Sequence, residues 1–211
     1  MMTYTLGIDT SHHVAVGLAE DGAPLATRVV ADTRAHGETL VPLIQQLCAE
    51  AGVRLQEIDA YAVGMGPGPF TGLRVGIVAA RSLASVSARP VHGVCSLDVI
   101  AAQWVDAPGE FVVASDARRK ELYWAHYVEG RRQGEPRVGA PGGLPDLPLA
   151  GPVPGEYGLR VVGPEGIDAA VLAASWERLP AVDGEPFYLR PADAAVPTTR
   201  KSALPRLRVP R

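Results

Sequence analysis

Only two cysteines occur in this chain, Cys48 and Cys95, far apart and each among apolar residues. They read as inert core thiols of a reducing compartment, not as a disulfide framework or a thiolate metal set. No window approaches the ~20 apolar residues that a membrane-spanning helix needs. The N-terminus lacks the basic and long apolar segments of a secretory signal, so a cytoplasmic location is expected. An excess of either charge is lacking too: 20 Lys and Arg stand against 23 Asp and Glu, and a formal net charge of −3 over 211 residues gives the whole molecule no electrostatic reason to bind nucleic acid. His12, His13, His36, His92 and His126 include no pair at i, i+4, and there is no Cys-x-x-Cys. Zinc and iron sites are built on such spacings, so no metal site is expected. A Ser–His–Asp set could be assembled from Ser11, His36 and Asp9, but no GxSxG elbow supports it.

What the chain does have is a stretch from Gly64 to Gly76, GMGPGPFTGLRVG. An apolar run, Ala60–Val63, enters it as a buried strand. Alternating Gly and Pro then force a tight turn, after which Thr71 can cap a helix running to Ser87. Helix N-termini of this kind often bind phosphate. Here Pro67 and Pro69 each delete an N–H donor, and no Lys-Ser or Lys-Thr follows as in a P-loop. The turn is built for shape more than for anions. In the helix, Gly72, Gly76, Ala80 and Ala84 recur every four residues, a row that admits close backbone approach. Arg74, Arg81 and Ser85 mark its only polar arc. An apolar or small arc covering roughly two-thirds of the circumference exceeds the ~100° stripe of a surface helix. Either the helix is buried on two sides or one side awaits a partner.

Around this centre, strands are expected at Thr5–Asp9, Val14–Leu18 and Leu25–Val30, the last two joined by an Asp21-Gly22 turn. A helix follows, roughly Glu38–Ala51, with Leu40, Ile44 and Leu47 on one face, Pro42 near its start and Gly52 at its end. A strand at Val91–Val94 and a helix from Ser96 to about Val105 come next. Then the opening pattern returns: a strand, Phe111–Asp116, ends in Asp, and a second strand runs from Glu121 to Val128 into a Glu129-Gly130 turn. Strand–Asp–strand–turn thus occurs twice, as in a duplicated two-lobed α/β fold. We divide the chain at 1–106 and 107–211. The second lobe is shortened, Pro/Gly-rich from Gly134 to Gly166, with a short strand at Leu159–Val162, a helix around Ile167–Trp176 and a last apolar piece at Phe187–Arg190. The last 22 residues carry Arg190, Arg200, Lys201, Arg206, Arg208 and Arg211 against Asp193 alone. Such a tail is either solvated or a weak RNA contact. Asp9 and Asp116, both at strand ends, stand where actin-like ATPases hold Mg²⁺. Those enzymes also need a glycine beside the first Asp, and here Thr10 and Ser11 follow Asp9, which favours a turn-capping role.

These pieces carry a resemblance. Gly66-Pro67-Gly68-Pro69-Phe70-Thr71-Gly72-Leu73-Arg74-Val75-Gly76 is similar to the GPGSFTGLRIG signature of the TsaB (YeaZ) family. It is supported by Ile8-Asp9-Thr10-Ser11, by Arg34-Ala35-His36-Gly37-Glu38, by Asp116-Ala117-Arg118 with Glu121-Leu122-Tyr123-Trp124, and by Glu185-Pro186-Phe187-Tyr188-Leu189-Arg190. The departures are Pro69 and Gly37, each where Ser is usual, and the short second lobe. The resemblance implies an actin-like fold of the ribonuclease H-like (ASKHA) class. It also implies a non-catalytic role beside TsaD, the subunit that transfers threonylcarbamoyl to the adenosine next to the anticodon. TsaD carries a histidine pair for its metal, which this chain lacks. No cofactor is therefore expected in the isolated chain; ATP and metal belong to partner subunits or the complex interface. The implied partners are a TsaD-like subunit, a TsaE-like ATPase, tRNA through the complex, and a second copy when TsaD is absent. The expected interface lies on the first lobe's two helices: Leu40, Ile44, Leu47, Gly72, Arg74, Gly76, Ile77, Val78, Ala80, Arg81 and Ala84. Asp9, His36, Gly66, Pro67, Gly68, Phe70 and Thr71 are the motif positions. An independent actin-fold ATPase or kinase, and a glycopeptidase-like enzyme, are the competing readings.

Overall fold

The chain's first hairpin turns at Asp21 and Gly22, both in the left-handed region (φ 48° and 75°). That geometry matches the twist of the strands it joins. The computed structural model that shows it describes residues 2–31 and 36–190, with His36 described only as the first residue of a helix. Arg34, Ala35 and the basic residues beyond Arg190 lie outside the described residues.

Strands β1 (Tyr4–Asp9), β2 (Val14–Glu20) and β3 (Ala23–Val30) form an antiparallel meander. Helix α1 (His36–Ala51) leads to β4 (Ile58–Gly64), helix α2 (Phe70–Ser87) and β5 (Val91–Val94). Both β4 and β5 lie parallel to β1, so the sheet order is β3-β2-β1-β4-β5. This is the strand order of a ribonuclease H-like lobe. Helix α3 (Ser96–Gln103) crosses to the second half, where β6 (Glu110–Asp116) and β7 (Leu122–Val128) pair antiparallel. Short strands β8 (Arg131–Arg132) and β9 (Arg137–Gly139) both pair with β7, and β10 (Leu149–Ala150) runs parallel to β6. The second sheet therefore repeats the first as far as its one parallel neighbour and then stops. Among the described residues no helix is long and apolar enough to cross a membrane.

Period-two alternation splits the residues of β1 and β2 between two faces. Leu6, Ile8, Val14, Val16 and Leu18 join Leu40, Ile44, Leu47, Leu73 and Ile77 in one core under α1 and α2. The other face carries Gly7 and Gly17, paired across the strands. There the last helix, α4 (Ala169–Ser175), lies directly on the sheet: a Cβ on Gly7 would overlap the Ala169 carbonyl, and one on Gly17 the Ala170 amide. Two glycines under an Ala-rich helix thus bring backbone against backbone. Helix α4 belongs to 107–211 by sequence and to the first sheet by packing, and buried clusters join residues from both sides of position 106, such as Ile100 with Phe111 and Val99 with Leu172.

Several boundaries differ from the sequence expectation. Helix α2 begins at Phe70, and Pro69, with φ −61° and ψ 132°, occupies the cap position without a side-chain bond. Thr71 is therefore inside the first turn and is not the cap; Pro pre-sets the entry instead. Helix α3 ends at Gln103, short of Val105, where the Gln103 side chain turns to the Gly166 carbonyl and the Asp168 amide. Leu159–Val162 is no strand, only a single bridge from Val161 to Leu149. Helix α4 is shorter than expected because Asp168 caps it through the Ala170 amide. Phe187–Arg190 has no regular structure, and the Phe187 amide bonds to the Met65 carbonyl.

Candidate functional site

The strand-end carboxylate of Asp9 is 1% exposed. One of its oxygens accepts from the Ser11 amide at 2.8 Å and the Ser11 hydroxyl at 2.7 Å, while the other accepts from the Ser96 hydroxyl at 2.6 Å. Ser96 also accepts from the Gly66 amide at 3.1 Å, and its own amide donates to the Gly66 carbonyl. Burial pushes the Asp9 carboxyl above the ordinary carboxylate range, and the bonds from Ser11 and Ser96 pull it part of the way back.

The Gly-Pro turn closes over this carboxylate. Gly64 has no Cβ because Asp9 Oδ2 occupies that space, and Gly68 packs on the Ser11 backbone. Thr10 fixes the next element. Its hydroxyl donates to the Gly72 carbonyl at 2.7 Å and accepts from the Gly76 amide at 3.1 Å, two groups that face each other across one turn of α2. A Cβ on Gly76 would strike that hydroxyl. The motif residues Asp9, Gly66, Gly68, Gly72 and Gly76 thus come together, with Pro67 between the two turn glycines. Phe70 stands slightly apart, its ring tilted at 49° against Tyr188 at 4.8 Å between ring centroids and lying beneath Arg74.

Two-lobed ATPases of this class place a nucleotide and a metal ion between their strand-end aspartates. The residues present do not fit that group. Asp9 presents no free oxygen, and the turn that would approach a phosphate lies against Ser11. The space beside it, lined by Asp9, His12, His13, Ala15, Val29, Gly166 and Ile167, holds about 100 Å³, below the ~300–1,000 Å³ of typical ligand sites. Burial drives His12 down to about 4, the neighbouring His13 adds to the shift, and Asp116 opposes it. No group of three or more His, Cys, Asp or Glu among the described residues is placed to hold a metal ion. Asp116 is half-buried, and its carboxylate accepts from the Arg118 amide at 2.8 Å and meets the Tyr157 hydroxyl at 3.5 Å.

The helix surface requires a correction. Leu40, Ile44, Leu47, Gly72, Gly76, Ile77, Ala80 and Ala84 are all buried inside this single chain. The small-residue row faces Thr10 and the sheet, and the wide apolar arc exists because α2 packs on β1, β4 and α1 at once. The outward side carries Arg74, Val78 and Arg81, with Ser82, Ser85 and Val86 beyond them. Val78 is 58% exposed, and Val41 on neighbouring α1 is exposed as well.

Sequence reasoning missed Ser96 as the second seal on Asp9, since it reads only as a helix start. It also missed the joint between the halves. Asp98 of α3, 3% exposed, accepts from the Tyr127 hydroxyl at 2.6 Å and from Arg132 Nε at 2.9 Å. Burial, with Asp98 alongside, pushes the Tyr127 hydroxyl well up. An isolated Gly17 in an apolar strand was a usable signal of close backbone approach; nothing in the spacing paired Asp98 with Arg132.

The family model described as TsaD, tRNA N6-adenosine threonylcarbamoyltransferase, matches residues 29–142. An uncharacterised protein of Mycobacterium tuberculosis is 40% identical over 199 residues, covering 90% of this chain and 92% of its own. The tRNA threonylcarbamoyladenosine biosynthesis protein TsaB of Escherichia coli is 38% identical over 125 residues, covering 58% of this chain and 54% of its own length. The crystal structure of YeaZ from Pseudomonas aeruginosa superposes with a TM-score of 0.68 at 31% identity, covering 83% of this chain and 93% of that one.

Proposed function

The chain belongs to the TsaB/YeaZ family, and on that premise we propose that it serves tRNA threonylcarbamoyladenosine formation as a non-catalytic subunit paired with a TsaD-like protein. The observation that carries this is the sealed Asp9. A carboxylate that accepts from Ser11 twice and from Ser96, under a turn packed on Ser11, cannot turn outward to a metal or a water without losing all three bonds. In the first lobe, the position where an actin-like enzyme works is here a structural knot that holds the Gly-Pro turn and α2 in place. Ser11 and Ser96 are both buried with their hydroxyls held on Asp9, so neither is open to a substrate carbonyl as the nucleophile of a peptidase must be.

What that knot presents is the outward side of α2 and α1, where Val41, Val78 and Val86 are exposed beside Arg74 and Arg81. We assign the TsaD-like partner to this side, or a second copy of the chain when that partner is absent, with a TsaE-like ATPase joining the pair. ATP, metal and tRNA chemistry then belong to the assembly. Copurification of the untagged chain with a co-expressed TsaD-like subunit tests the pairing, and Val78→Arg is expected to abolish it while leaving the fold intact. ATP turnover by the pure chain, lost in Asp9→Asn, would overturn the proposal.

A further inference from the structure

The β6–β7 connection holds three consecutive non-glycine residues in the left-handed region: Arg118 (φ 58°), Arg119 (φ 53°) and Lys120 (φ 61°). Side chains with a Cβ are strained there, and glycine or asparagine would be the ordinary choice. The strain is held by its surroundings. Asp116 accepts from the Arg118 amide, the Ala117 amide donates to the Glu121 carbonyl, and the Glu121 amide donates to the Arg118 carbonyl. Arg190 clamps the turn from outside, donating to the Ala117 carbonyl at 2.7 Å and pairing with Glu121. All three basic residues are exposed.

We infer that this turn is a contact for the phosphate backbone of RNA. Between Asp116 and Glu121, with Arg190, four cations stand against two carboxylates, a local positive surplus on a chain whose net charge is −3. The carboxylates are already committed, Asp116 to the Arg118 amide and Glu121 to Arg190. Arg190 is also where the basic end of the chain departs. Residues 191–211, outside the described residues, carry Arg200, Lys201, Arg206, Arg208 and Arg211. A fixed cationic turn on a chain whose last residues in sequence are also basic suits a polyanion, and arginine forks match phosphate oxygens. The inference rests on the role in tRNA modification proposed above.

The test uses the full chain assembled with its TsaD-like partner and an unmodified tRNA transcript. Binding is measured from low to moderate salt for the wild type and for Arg118→Gln/Lys120→Gln. We expect roughly tenfold weaker binding and a log–log salt slope shallower by about 1.4 to 1.8, the loss of two phosphate contacts. Ending the chain after Arg190 is expected to flatten the slope further. Lys120→Gly separates contact from architecture, because it relieves strain: its thermal midpoint is expected to rise while RNA binding weakens. Unchanged affinity and slope in the double variant would overturn the inference. So would loss of the protein partner instead of RNA, which would make the turn a protein contact. Pairing is scored on the same preparations: a wild-type chain that pairs and binds tRNA indifferently to the turn sinks this inference alone, and one that does not pair sinks the proposed function with it.

Discussion

Strand pairs β1–β2 and β6–β7 start from the same plan, an apolar strand ending in Asp, a short connection and an antiparallel return. They are completed differently. After β1–β2 the chain adds α1, β4, α2 and β5, and the Gly-Pro turn of that insertion comes down on Asp9. After β6–β7 it adds two short strands, a Pro/Gly-rich passage and the two-residue β10, and Asp116 keeps a half-open carboxylate. Burial of a strand-end aspartate is thus a property of what is built over it, not of the strand that ends there. The two halves are held together by a buried ion pair and a shared helix, and those are the places to test the comparison.

The largest effect is expected at the joint. Arg132→Ala leaves Asp98 buried without its cation, a change that costs about 3–5 kcal/mol, read from urea unfolding. A loss below about 1 kcal/mol would mean that the halves do not lean on this pair. Next, Gly17→Ala puts a Cβ into the backbone of α4 and is expected to cost about 1–3 kcal/mol or more. Gly142→Ala in the second half, with open space around it, should stay within about 0.5 kcal/mol. Equal effects would erase the distinction between a tightly and a loosely built half.

A smaller effect is tied to pH. His12 sits near 4 in the folded chain, below its ordinary value, so the folded state favours the neutral ring. Its contribution is fully present above about 6.5 and is lost as pH falls toward 4, on the order of 1–2 kcal/mol after allowing for partial exposure. His12→Gln is expected to flatten that acid-side loss. Asp9 runs the opposite way. With its folded value raised, ionisation costs stability as pH climbs from about 4 through the folded pKa, so Asp9→Asn gains relative to wild type over that window. Smallest is Asp116→Asn, which weakens one cap-like bond and is expected to cost about 0.5–1 kcal/mol.

Much of this was legible from residues alone. Asp21-Gly22, Gly52 and Glu129-Gly130 mark turns because few other residues accept positive φ cheaply, and all take it here. The repeated strand–Asp–strand pattern exposed the duplication. The Gly72–Ala84 row announced close packing, but a helical wheel carries no information on whether the neighbour belongs to the same chain. Thr10, sixty-two residues from Gly72, supplied that neighbour. Likewise Ser96 reaches Asp9 across 87 residues, a pairing set by sheet order and invisible to local periodicity.

The seat of α4 on Gly7 and Gly17 has a consequence for synthesis. The first sheet leaves the ribosome early, but the helix that covers one of its faces is encoded near the described end. At ~5–20 residues per second, that face waits on the order of 10–30 s before its cover exists. A nascent chain stopped after residue 106 would hold an uncovered sheet face around two glycines, where no side chain guards the backbone. Folding of the sheet around Gly7 and Gly17 is therefore tied to synthesis of a helix about 150 residues further along the chain, and a face made early is among the last to be finished.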